Sequence, residues 1–295
     1  MLQKSTKFVI ICTKIMFVGW YLVFLLNCVS IVLAIYLALR NRSQKTQKIV
    51  LFLILVFSLV MHFTKSMYAP YSTDLDRRLR DSWFINICGA NIALFPFMFI
   101  SKSKTAKDYM FYLGLLGGMI ALIYPMEVFA KGNPAAEYFD IIRFYWHHLM
   151  LFAVPLLMLI FKIHTLSYRR IFYMPLWLLA VCAFCMLNQV LQSELGFIPM
   201  RGDDIFDIHY KNSSLIWGPP DIDFIRYAVP KFMRTIPFGP HAGEAKYWPL
   251  LWAVVPLYIY FVPICFFLSM IFDFKSIKAD FKKFINILKF KPNKK

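Results

Sequence analysis

The chain has 295 residues, 60% of them hydrophobic and 18% aromatic, with a formal net charge of +17. Soluble domains are about 45–50% apolar, so composition excludes an ordinary soluble domain. In a membrane protein the basic excess points to anionic headgroups and topology rather than to nucleic acid, and no nucleic-acid-binding signature accompanies it. The expected fold is all-α: a polytopic transmembrane helix bundle of about seven spans, a single domain over 1–274, followed by a basic amphipathic tail over 275–295.

Lys4, Lys7 and Lys14 precede the first long apolar run. That run lacks a small-residue cleavage site and more spans follow, so it reads as an uncleaved first helix. Span 1 is expected at 15–39 and stops at Arg40-Asn41-Arg42; span 2 at 49–64 carries His62 near its end. After a segment rich in both charges, span 3 is expected at 83–100 and span 4 at 109–128. Gly114 and Gly118 give span 4 a small-xxx-small face suited to close helix packing. Span 5 is expected at 143–161, where Arg143-Phe144-Tyr145-Trp146-His147-His148 opens a mainly apolar run of about 18 residues. Span 6 is expected at 171–191 and span 7 at 249–272, with the long segment 192–248 between them extramembrane or re-entrant. Pro96, Pro155, Pro256 and Pro263 fall inside spans and predict kinks. His62 and His164 sit at span ends, where interfacial anchoring is the simple reading.

Basic residues divide almost evenly between the two sides. Many on one side lie in the long 6–7 segment, which the positive-inside rule discounts. This puts the N-terminus outside and the C-terminus in the cytoplasm of a multi-pass cell-membrane protein. Abundant Lys, Ile, Phe and Asn point to an AT-rich bacterial genome. In the tail, Ile277, Phe281, Phe284, Ile285 and Leu288 recur at helical spacing among lysines, as in a helix lying on an anionic membrane surface.

With alternating spans, the starts of spans 3 and 5 and the end of span 6 share one side. Cys88, His148 and Asn188 then lie at similar depth, with Asn86, Asn91 and His147 close by in sequence. Polar groups in lipid are costly unless satisfied, so clustering is expected. An imidazole beside a thiol can generate the thiolate nucleophile. Catalytic roles therefore fall to Cys88 and His148, and oxyanion or orienting roles to Asn86, Asn91, His147 and Asn188. The other cysteines, including Cys182 and Cys185 as an intramembrane CxxC, read as packing residues. Asp203, Asp204, Asp207 and His209 match no metal motif and read as a solvated loop; His241 reads as a turn residue. No metal or cofactor is expected.

Several segments carry a resemblance. They are Trp83-Phe84-Ile85-Asn86-Ile87-Cys88 with Leu94-Phe95-Pro96 and Ser101-Lys102-Ser103-Lys104; then Tyr109-Met110-Phe111-Tyr112-Leu113-Gly114 through Tyr124-Pro125; then Arg143-Phe144 with His147-His148; then Leu187-Asn188; and last Ser214-Leu215-Ile216-Trp217-Gly218-Pro219-Pro220. In this order they resemble the transmembrane protein 164 / YwaF family of integral membrane proteins. The resemblance implies a membrane acyltransferase that moves an acyl chain from a phospholipid to a lysophospholipid. Cys88 carries the acyl group in that reading and His148 assists. Where the family often has a His two residues before the Cys, this chain has Asn86. A lipid ester hydrolase is the close variant. Two other classes fit the same polar layer: a transporter or permease with a solute site there, and a non-catalytic scaffold that binds a partner through the 6–7 segment.

Overall fold

Six helices among the described residues are long and apolar enough to cross a bilayer, and a shorter apolar helix packs among them. The computed structural model describes residues 2–69, 71–75, 78–79, 82–125, 138–196, 215–239 and 242–289. In chain order the elements are α1 (Leu2–Leu39), α2 (Gln44–Thr64), α3 (Ile87–Ile100), α4 (Lys104–Ile123), α5 (Tyr138–Ile160), α6 (Met174–Glu194), α7 (Asp223–Ala228), α8 (Leu251–Phe272) and α9 (Phe274–Lys289). No strand occurs among these residues.

Caps written in the sequence set where helices start. Ser43 Oγ accepts the Thr46 N–H at 3.2 Å, Ser103 Oγ accepts that of Ala106 at 3.2 Å, and Asn86 Oδ1 accepts that of Gly89 at 2.7 Å. Each supplies an acceptor for an orphan N–H of the first turn. The Asn86 cap corrects the expected third span. Helix α3 starts at Ile87 rather than Trp83 and has 14 residues. At about 1.5 Å per residue it reaches roughly 21 Å, short of a hydrocarbon core of about 30 Å. The rest of that span, from Trp83, approaches α3 as non-helical chain.

The core lies where α3, α4 and α5 meet. Phe95, Tyr109, Met110, Phe111, Tyr112, Met150, Val154 and Met158 are fully buried there. Close approach depends on missing side chains. A Cβ on Gly114 would sit 2.1 Å from the Leu151 carbonyl oxygen, and one on Gly118 would sit 2.7 Å from that of His148. Gly114–Gly118 forms a π-helical turn at this contact. By contrast, α1 shows lipid Leu22, Leu26, Val29, Leu33 and Leu37, an i, i+4, i+7, i+11, i+15 stripe.

The segment between the sixth and seventh spans is built in part. Residues 197–214 lie outside the described set, and with them Asp203, Asp204, Asp207 and His209; so does His241. The chain from Leu215 on is anchored to the start of α8. The Leu250 N–H donates to the Ile216 carbonyl at 2.6 Å, and Trp252 Nε1 donates to that of Leu215 at 3.0 Å. Arg234 then braces α7, donating to the Val229 carbonyl at 2.7 Å and the Arg226 carbonyl at 3.0 Å.

Candidate functional site

The buried stripe of α2 reads Gln47, Leu51, Leu55, Ser58, His62. Three polar residues on an inward face of a membrane helix need partners in the bundle. Gln47 Nε2 donates to the Leu39 carbonyl at 3.0 Å, and Ser58 Oγ accepts from Trp146 Nε1 at 3.0 Å. His62 is buried against Phe84 and against His147 of α5, whose ring centroid lies 6.0 Å away. The expected interfacial anchor is therefore an interior residue, because its helix turns that face onto α3 and α5.

One turn outward, Arg143 is held in place. It forms an ion pair with Asp140, and its Nη2 lies 3.3 Å from the Tyr71 hydroxyl, which donates to Asp140 Oδ1 at 3.1 Å. Arg143 Nη1 lies 3.4 Å from His147 Nδ1. Lys65, also buried, stands 5.4 Å from the Tyr71 ring centroid.

Cys88 is the second residue of α3 and is half-buried. Gly89, next in the chain, turns toward His62: a Cβ there would lie 3.5 Å from His62 Cε1. Tyr109 donates to Asn91 Oδ1 at 3.1 Å in a fully enclosed contact. Tyr109 also packs against Trp177 of α6, the helix whose CxxC cysteines, Cys182 and Cys185, are buried in the bundle interior.

The remaining expected residues have local partners. His148 Nδ1 sits 2.8 Å from the Phe144 carbonyl and its ring packs on Phe144. That carbonyl requires an N–H on Nδ1, which leaves Nε2 with the lone pair. The contacts of His148 thus run to Phe144 of its own helix. Asn188 is buried and its amide donates to the Phe184 carbonyl of its own helix at 2.8 Å. Asn86 is exposed, its side-chain oxygen committed to the α3 cap.

Sequence reading passed over Gln189, the residue after Asn188. Its Nε2 donates to the Ile85 carbonyl at 2.9 Å and its Oε1 accepts from Trp217 Nε1 at 2.9 Å. It thereby joins the chain entering α3 to the Trp217-Gly218-Pro219-Pro220 segment. At the opposite end, His164 is also buried rather than interfacial. Its Nε2 contacts Asp108 at 2.6 Å, and Arg170 Nη2 donates to the same carboxylate at 3.0 Å. No cluster of three or more His, Cys, Asp or Glu suited to a metal occurs among the described residues.

Searches of curated proteins and of solved structures returned no match. The model of the TMEM164 family matches residues 12–220, the stretch that holds α2 to α6, the histidine pair, Cys88 and Trp217. The chain is a multi-pass membrane protein and belongs to the TMEM164 family.

Proposed function

We propose that the chain is a membrane-embedded lipid acyltransferase that works through an acyl-cysteine at Cys88. The observation that carries the reading is the position of Cys88 in the first turn of α3, within a buried polar layer. A helix N-terminus favours the thiolate over the thiol.

The chemistry balances with this chain's own groups. His148 Nε2, left with its lone pair, takes the Cys88 proton. The thiolate sulfur bonds to the ester carbonyl carbon of a phospholipid, and the C–O bond to the glycerol oxygen breaks. The imidazolium returns the proton to that oxygen, releasing a lysophospholipid. A second lysophospholipid hydroxyl then takes the acyl group by the reverse steps. The Asn91 amide is the candidate donor to the oxyanion. Water in place of the acceptor gives hydrolysis. The basic helix α9 is taken to lie on the anionic cytoplasmic leaflet, with Phe281, Phe284 and Ile287 exposed for the acyl region.

The test uses Cys88→Ala protein in liposomes containing a phospholipid with a labelled acyl chain and an unlabelled lysophospholipid. Labelled diacyl product forms with the wild type and is absent with the variant. Wild-type transfer by Cys88→Ala rules out the acyl-cysteine. Solute uptake that persists in the variant, without lipid turnover in either protein, favours a permease.

A further inference from the structure

His62 and His147 hold a chemistry that acyl transfer through Cys88 and His148 does not use. Their rings face each other across the α2–α5 interface, centroids 6.0 Å apart and planes 29° apart. They are 3% and 4% exposed. In each ring Nε2 is buried with no hydrogen-bond partner among the described residues. For His147 the tautomer follows from its neighbour. Arg143 approaches Nδ1 at 3.4 Å and a guanidinium can only donate, so Nδ1 has the lone pair and Nε2 the hydrogen. A buried N–H without an acceptor is costly. The His147 N–H, beside the buried and unpartnered Nε2 of His62, marks a place where an acceptor belongs.

The surroundings specify the acceptor's charge. Arg143 reaches the site from one turn before His147, positioned by Asp140 and Tyr71. Lys65 follows His62 on the next turn and packs over the same Tyr71 ring. The N-terminal turn of α3 abuts His62 at Gly89, adding the positive end of a helix dipole. Donors and positive charge together select an oxyanion. The site lies at the end of α2 and the start of α5, near one end of both candidate spans.

We propose that His62 and His147 line a phosphate subsite in which the His147 Nε2–H donates to the phosphodiester of a phospholipid and Arg143 and Lys65 balance its charge. The proposal rests on the acyl-transfer reading for its substrate class: the subsite would hold the headgroup while the ester reaches Cys88, one residue from Gly89.

The test compares the full-length wild type with His62→Leu and His147→Leu, by native mass spectrometry of detergent-solubilised protein. The probes are dioleoylphosphatidylglycerol, diolein as the same chains without phosphate, and inorganic phosphate. Each substitution is expected to weaken phosphatidylglycerol binding at least tenfold and to leave diolein binding unchanged. Phosphatidylglycerol binding as tight in the folded variants as in the wild type overturns the proposal, as does equal loss of diolein. Inorganic phosphate that binds the wild type as tightly as the lipid, and is lost in the variants, keeps the phosphate chemistry and assigns it to the free ion. Should a variant fail to fold, carbethoxylation of the wild-type histidines decides. Phosphatidylglycerol slowing the reaction of His62 and His147 where diolein does not supports the subsite, and no difference between the two lipids overturns it. Cys88→Ala is expected to bind phosphatidylglycerol like the wild type. A protein with this headgroup site but no acyl transfer would refute the enzymatic reading alone.

Discussion

The Tyr109 hydroxyl and the Asn91 carboxamide satisfy each other at 3.1 Å in the centre of the bundle. Tyr109→Phe leaves the Asn91 oxygen buried without this donor. The expected cost is about 1 kcal/mol, read as a melting temperature lower by a few degrees; an unchanged melting temperature would show that Asn91 finds another donor. At Cys88, a serine keeps the size but not the acidity of the nucleophile, so Cys88→Ser is expected to cut acyl transfer at least about a hundredfold. Transfer within a few-fold of wild type would argue against a thiolate. What could be read from single residues followed from cost. A thiol, two histidines and several amides at one depth in apolar spans are expensive alone, and the structure gives each polar one a protein partner or a buried place. His62 shows the limit. Its place on the Gln47–Ser58–His62 stripe was visible at helical spacing, but a histidine at a span end satisfies interfacial anchoring equally well. Only the packing of α2 on α5 separates the two. Likewise, nothing in the sequence says that His148 turns to Phe144 while His147 turns to His62.

Among the helices, the α4–α5 contact rests on absent atoms. Gly114→Val would drive a side chain into the Leu151 carbonyl, where a Cβ is already only 2.1 Å away. Overpacking of this kind costs about 1–3 kcal/mol. Gly117, three residues on, has nothing within 4 Å of its Cβ position, so Gly117→Ala is expected to be neutral. Thermal melts of both variants check the pair, and equal effects would contradict the close approach. The GxxxG face was legible from spacing; the π-helical turn on it was not, because it arises from fitting that face against α5. The shortness of α3 was partly legible, since Asn86 is a good N-cap three residues ahead of Gly89. Apolar Trp83–Ile85 hid it by extending the hydrophobic run.

Across the whole molecule, α9 is tied back to the bundle at one acid. Asp280 accepts from Arg169 Nε at 2.9 Å and from the Tyr168 hydroxyl. The Arg169 hydrogen bonds, and then that of Tyr168, hold the Asp280 carboxyl below its ordinary value of 3.8. A lowered folded value means that the released acid binds protons more readily than the docked one. The contribution is therefore complete above about pH 5 and is lost as pH falls through the lower folded value. Amide exchange in α9 should show constant protection from pH 7 to about 5 and loss toward pH 3; protection that survives at pH 3 would remove Asp280 from the account. Topology is a second property at this scale. A fluorescent protein fused after Lys295 should be bright if the tail is cytoplasmic, whereas a dark fusion with an active exported reporter would invert the assignment. The bundle itself was readable from composition and hydropathy, because a bilayer demands long apolar helices. The docking of Ile216 and Trp217 onto α8 and Gln189 was not, since it joins segments far apart in sequence through single hydrogen bonds.

The most direct measurement is intact-protein and peptide mass spectrometry after mixing the wild type with a phospholipid and no acceptor. The account predicts a chain heavier by one acyl group, carried as a hydroxylamine-labile thioester on the peptide containing Cys88, and discharged when lysophospholipid is added. Lipid turnover with Cys88 unmodified, or an acyl group on another residue, would contradict it.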